Sequence, residues 1–228
     1  MRHVSEIHLS WGPFTPTELR NLCAIIKQST SLTKVHLYCT HIFDGGAIAI
    51  ADAIKRSRSL VVLELLSNSI GDAGATVLAK AITQSKSLDS VLLGRNKIGA
   101  FGASAIADAI TQSKSLATLD LSHNLIGSVG ASAIAEAIQQ STSLTAINLC
   151  GNAIGTKGAS AIAEAIKQSK SPLATVDLSD NQIGDVSVFA LAEAIKQSKS
   201  LTTMDLSANP IDDKGTSYIA DAIERNKV

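Results

Sequence analysis

The sequence predicts an α/β solenoid in which eight short strand-plus-helix units stack along residues 1–228 as a single domain. Three observations predict it. One phrase recurs with starts at Val4, Leu32, Leu60, Leu88, Leu116, Leu144, Leu173 and Leu201, a spacing of 28 residues stretched once to 29 by Pro172. A fixed period of this length marks a supersecondary unit that cannot bury its apolar face alone, so stacked neighbours must complete the core. Within each unit the hydrophobic period switches from two to a helical spacing. A hydrophobic content of 45% over 228 residues can fill a large core, and the unbroken repeat argues against a second domain.

Each unit opens with a strand. Leu119 and Leu121 alternate with Asp120 and Ser122, the period of a short strand with one buried face. A turn follows, marked by Asn124, Ile126 and Gly127. The column Asn68, Asn96, Asn124, Asn152, Asn181 and Asn209 puts an amide where turning backbone groups need partners, so these residues are read as structural. Next comes a helix start. Asp44, Asp72, Ala100, Ser128, Thr156, Asp185 and Asp213 suit an N-cap, with Ala100 alone departing from the preference. The helix itself, as in Gly130 to Ser143, carries Ala and Ile at helical spacing with Glu136, Gln139 and Gln140 on the polar side.

Two helix columns explain the packing. Cys23, Ala51, Ala79, Ala107, Ala135, Ala163, Ala192 and Ala220 let neighbouring helices lie close, which makes Cys23 a small buried hydrophobe. Ile26, Ile54, Ile82, Ile110, Ile138, Ile166, Ile195 and Ile223 fill the space between helix and sheet. Replacing one with Asp is expected to break the stack locally.

The phrase L-x-x-L-x-L-x-x-N-x-I-G, carried by Leu116, Leu119, Leu121, Asn124, Ile126 and Gly127, resembles leucine-rich-repeat proteins, specifically the ribonuclease-inhibitor-like class with its long helix-bearing unit. The resemblance covers nearly the whole chain. It implies a curved horseshoe arc with a parallel sheet on the concave face and helices on the convex face. The class includes ribonuclease inhibitor, Ran GTPase-activating protein and sensor regions of NOD-like receptors, nearly all of which act by holding another protein. The near-identity of Gly102 to Ser115, Gly130 to Ser143 and Gly158 to Ser171 is also similar to leucine-rich-repeat effectors of intracellular bacterial pathogens. Gly12 and Thr40 stand where the family pattern has Asn, which suggests an N-terminal cap.

Charge and cysteine usage narrow the function. Lys plus Arg and Asp plus Glu are 20 each, so no net field favours nucleic acid or an anionic membrane. The basic column Arg58, Lys86, Lys114, Lys170 and Lys199 is read as a solvated edge, offset by acids such as Asp108, Glu136, Glu164, Glu193 and Asp221. Cys23, Cys39 and Cys150 lack disulfide or metal spacing and fit a reducing compartment, hence a cytoplasmic location, or the host cytosol for a secreted effector. Met1 to Ser10 has no continuous apolar region of the kind a secretory signal needs, and no apolar run reaches membrane-spanning length.

Binding is expected from the residues between the buried leucines, which face the concave side and stack about 4.8 Å apart from strand to strand. The central column reads His8, His36, Glu64, Leu92, Asp120, Asn148, Asp177 and Asp205. One flanking column reads Ser10, Tyr38, Leu66, Gly94, Ser122, Cys150, Ser179 and Ser207, and the other Trp11, Cys39, Ser67, Arg95, His123, Gly151, Asp180 and Ala208. Aromatic and apolar side chains gather in the first half. Trp11, Tyr38, Leu66, Leu92 and Arg95 are therefore read as anchors for a protein partner, with His8, His36, Glu64, Asp120 and His123 completing the patch. Asp120, Asp177 and Asp205 are read as default, solvated positions.

Catalysis is not expected. His8, His36 and Glu64 could in principle hold zinc, but stacked neighbours need not converge on a point and no supporting partner is evident in the sequence. Cys39 with His36 or His123 lacks an oxyanion donor and an orienting third group. The reading is a non-enzymatic module without cofactor, monomeric when unbound, that regulates or inhibits a protein by occlusion. The alternative from the same resemblance is a GTPase-activating protein.

Overall fold

A computed structural model describes residues 4–226. Eight strands, β1 (Glu6–Ser10), β2 (Lys34–Tyr38), β3 (Val62–Glu64), β4 (Ser90–Leu92), β5 (Thr118–Asp120), β6 (Ala146–Asn148), β7 (Thr175–Asp177) and β8 (Thr203–Asp205), form one sheet in sequence order. Every pairing is parallel and in the register of the repeat: His8 faces His36, His36 faces Glu64, Glu64 faces Leu92, and so on to Asp205. The helices α1 (Pro16–Gln28), α2 (Phe43–Arg56), α3 (Asp72–Gln84), α4 (Ala100–Gln112), α5 (Gly127–Gln140), α6 (Gly155–Gln168), α7 (Asp185–Gln197) and α8 (Asp213–Arg225) alternate with them. Each helix packs against the helices of adjacent units, the nearest-neighbour pattern expected of a solenoid.

The core lies between sheet and helices. Leu119 and Leu121 are buried while Asp120 between them is half-buried, and the same alternation holds at Val35–His36–Leu37. The isoleucine column is buried from Ile26 to Ile166, but Ile195 is half-buried and Ile223 is 59% exposed, because no further helix packs on α8 among the described residues. Cys23 is buried, and that burial pushes its thiol up. Glycine at the first turn allows close helix approach: a Cβ on Gly130 would stand 2.9 Å from Ala103 Cβ and 3.2 Å from Ala100 Cα.

Asparagines tie the units together. Asn124 Oδ1 accepts from Ile98 N at 2.9 Å, while its Nδ2 donates to the carbonyls of Leu93, Leu121 and Ser122. Repetition at Asn68, Asn96, Asn152, Asn181 and Asn209 satisfies backbone groups of two consecutive turns at each rung. Thr40, in the second unit, donates both its N–H and its hydroxyl to Asn68 Oδ1 and is buried. A serine ladder runs along the opposite turn. Ser57, Ser85 and Ser113 end their helices and accept from Leu60 N, Leu88 N and Leu116 N, and Ser87 and Ser115 donate to the carbonyls of Leu60 and Leu88 at 2.8 Å.

The expected N-cap column is corrected. Asp44 and Asp72 sit inside the first turn of their own helices and cap the next ones. Asp44 Oδ1 accepts from Gly71 N at 2.7 Å and Gly74 N at 3.0 Å, and Asp72 Oδ1 from Gly99 N at 2.7 Å and Gly102 N at 2.9 Å. A repeat of this length brings the carboxylate over the following helix start, where the orphan N–H groups point. Among the described residues, only Thr15 and Asp212 accept within their own helix as N-caps.

Ala100 and Ser128 make no such bond to the following unit, and there Gly127 and Gly155 adopt φ of 60° and 62° and turn their N–H groups to the carbonyls of Asn152 and Asn181. Ala100→Asp should restore the missing cap and add about 1 kcal/mol, and Asp72→Ala should remove about as much. Urea unfolding of both variants checks this; equal midpoints would refute trans-unit capping.

Candidate partner-binding face

The strand register assembles the predicted central column as one row on the exposed side of the sheet. Its two halves differ in what their side chains do. Asp120 Oδ1 accepts from Ser122 N at 2.7 Å, Asn148 from Cys150 N at 2.9 Å, Asp177 from Ser179 N at 2.9 Å and Asp205 from Ser207 N at 2.8 Å. These residues clamp the strand exit while Asp205 stays exposed and Asp120 and Asp177 half-buried, so the sequence expectation of solvated positions gains a local structural role. The Ser207 backbone bond holds the Asp205 carboxyl below its usual range. At His36, Glu64 and Leu92 no such clamp is made, so the first half of the column is released from the turn.

The released residues interact with one another. His36 Nδ1 lies 2.6 Å from Glu64 Oε2, and the His8 and His36 rings stack at 4.0 Å with an interplanar angle of 5°. Glu6, two residues before His8 and therefore on the same strand face, lies 3.4 Å from His8 Nε2 and 2.8 Å from Lys34 Nζ. The Lys34 ammonium, and after it His8, hold the Glu6 carboxyl below its ordinary value.

The anchors sit at the last strand residues, Tyr38 and Leu92, and just beyond the strand ends, Trp11, Leu66 and Arg95. Trp11 is 74% exposed and packs edge-to-face on Tyr38 with ring centroids 5.1 Å apart. Leu66 and Leu92 are half-buried and Arg95 is exposed. Leu66 spreads over Gly94, where an added Cβ would stand 3.1 Å from Leu66 Cδ2 and 2.7 Å from Ser122 Oγ. Gly94 is thus a determinant of the patch that sequence reasoning did not single out, its signal being a glycine in an otherwise substituted column.

Trp11, Cys39, Ser67, Arg95, His123, Gly151, Asp180 and Ala208 all have φ between 51° and 66°. A left-handed conformation costs an L-residue roughly 1–2 kcal/mol; in the six turns from Ser67 to Ala208 an Asn of the ladder follows directly, and in the first two Gly12 and Thr40 take its place. Only one of the eight is glycine, so no glycine signature marks the turn in the sequence.

His123, three strands from Tyr38, lies across Gly151, whose missing side chain makes the room, and its Nε2 is 3.9 Å from Cys150 Sγ. His123 therefore approaches Cys150 and not Cys39.

The basic column is exposed, and its members form no salt bridge among the described residues. Three of the five acids expected to offset it pair instead within their own helices: Glu164 with Lys167, Glu193 with Lys196 and Asp221 with Arg225. A hollow of about 590 Å³ opens beside Arg58 and Lys86 at the helix C-termini, away from the strand row. Among the described residues no helix is long and apolar enough to cross a membrane.

A family model described as Leucine Rich repeat matches residues 28–51, 56–79, 112–135, 140–163, 170–192 and 197–220, more than half of the chain. No curated protein matches. Among solved structures, Leiomodin-1 actin-binding site 2 is similar with a TM-score of 0.45 and 13% identity, over 93% of this chain and 91% of that one. The yeast Rad7 and Elc1 complex is similar with a TM-score of 0.46 and 15% identity, over 93% of this chain and 65% of the matched one. Likeness at these levels says nothing about function.

Proposed function

Because the chain belongs to the leucine-rich-repeat family, we propose that it is a non-enzymatic binding module whose strand face holds a partner protein through its N-terminal half. The observation that carries this reading is the exposed Trp11–Tyr38 pair continued by Leu66 and Leu92. Large aromatic side chains with an arginine at the rim, here Arg95, are the residue types that dominate interface energies. Release of His36, Glu64 and Leu92 from the turn bond kept in the second half supports the same placement, with His8, Asp120 and His123 at its margin. A preformed surface loses little conformational freedom on binding, which suits occlusion of a partner's functional site. Long units each bearing a full helix support the ribonuclease-inhibitor-like class. Their near-identity supports an effector working in a host cytosol, as a monomer until it meets its target.

Tyr38, Leu66 and Arg95 replaced together by Ala should lower partner capture from cell extract at least about tenfold, more than 1 kcal/mol being usual for each true anchor. Thermal unfolding should change little, and a matching Asp177 and Asp205 double variant should retain capture. Unaltered capture by the triple variant would sink the proposal. Added to a panel of GTPases, the protein should leave hydrolysis unchanged.

A further inference from the structure

At the N-terminal corner of the strand face, at the margin of the proposed binding patch, lies a cluster of metal-ligating side chains. Glu6, His8 and His36 each offer one donor atom, and these atoms all lie within 4.8 Å of one another. They come from two paired strands in which His8 is directly opposite His36. His8 Nε2 and Glu6 Oε2 are 3.4 Å apart, the separation that two bonds of about 2.0–2.2 Å to one metal subtend in a tetrahedral shell. Lys34 occupies the other Glu6 oxygen and leaves Oε2 turned toward His8.

Behind the cluster stands an orienting group. Glu64 accepts from His36 Nδ1 at 2.6 Å, so the second ring nitrogen, Nε2, is the one free to coordinate. That atom is buried and has no hydrogen-bond partner among the described residues. Buried polar atoms are nearly always partnered, and a bound cation would supply what His36 Nε2 lacks.

We infer that Glu6, His8 and His36 form a three-ligand site for a divalent transition metal of the zinc type, with Glu64 as a positioning residue behind His36. Two imidazoles and one carboxylate select such ions over magnesium or calcium, which take oxygen ligands. The sequence reading expected no metal and weighed only His8, His36 and Glu64 as donors; on this inference the third ligand is Glu6 and Glu64 is the supporting partner. Metal entry requires the stacked rings to splay so that both lone pairs meet at one point, which Glu6 and His8 permit because both are exposed. Three protein ligands leave a fourth position open on the strand face.

The test uses the tag-free chain of residues 1–228, with no partner present, titrated with zinc chloride by calorimetry and with cobalt(II) by visible spectroscopy. One equivalent of zinc per chain is expected, with a four-coordinate cobalt spectrum. His8→Ala and His36→Ala should each weaken zinc at least about 100-fold, and Glu64→Gln about 10- to 100-fold with an altered cobalt spectrum. His8→Gln, at an exposed position, serves as the second variant should His8→Ala fold poorly. Absence of equimolar zinc binding in the parent protein, or equal binding by the parent and the His8 variants, would overturn the site. An unchanged cobalt spectrum and affinity in Glu64→Gln would remove its positioning role. Because no partner is present, these outcomes are separate from those of the capture experiment.

Discussion

Ile110→Asp should abolish the folded state of the central repeats, whereas Ile223→Asp should leave stability within about 0.5 kcal/mol of the parent. The two residues occupy the same column of the repeat, so sequence position alone assigns them the same effect. Ile110 is 1% exposed and Ile223 is 59% exposed. A carboxylate at Ile110 would be buried without a partner between sheet and helix, a change that costs more than about 4 kcal/mol. Units of a solenoid depend on their neighbours, so damage at α4 also removes the surface on which α3 and α5 pack. Chemical denaturation followed by circular dichroism measures both variants. Comparable losses at the two positions would show that the column acts through local helix propensity and not through burial between units.

Removing one rung of the asparagine ladder should be the next most damaging change. Asn124→Ala deprives Ile98 N of its acceptor and the Leu93, Leu121 and Ser122 carbonyls of a donor, across two consecutive buried turns. An unsatisfied buried group costs about 1–3 kcal/mol, so a loss of about 3 kcal/mol or more is expected even with some rearrangement. Asn209→Ala should cost less, because Asn209 is only half-buried and water can replace part of what it provides. Hydrogen exchange adds a local readout: protection should fall at Ile98 N and at Asn96 and Asn124 themselves before it falls in distant units. An Asn124→Ala protein as stable as the parent would mean that the left-handed turn at His123 is held by other contacts.

Much of the architecture was legible because the repeat aligns the chain with itself. Leu119 and Leu121 announced a strand by alternation, the isoleucine and alanine columns announced a helix, and the asparagines were correctly assigned to the turn. The aspartates are ambiguous in sequence for an identifiable reason. A carboxylate one residue into a helix resembles an N-cap in any single unit, and only stacking brings Asp72 Oδ1 within 2.7 Å of Gly99 N in the next. The candidate site divides in the same way. The columns name Trp11 and Tyr38 as anchors, but their edge-to-face contact and the roles of Glu6 and Glu64 around His36 depend on where side chains turn after the register is set.

Periodicity alone therefore determined the fold, the strand register and the face on which binding is proposed, since a 28-residue repeat with apolar residues at strand and helix spacing has one way to bury them all. Tertiary structure decided what passes between units: which aspartate caps which helix, which acids clamp a turn, and which three donors gather at the N-terminal corner. The physical reason is range. Burial pattern is written along each unit, whereas a hydrogen bond or a coordination sphere is settled over about 3 Å between atoms some 28 residues apart in the chain.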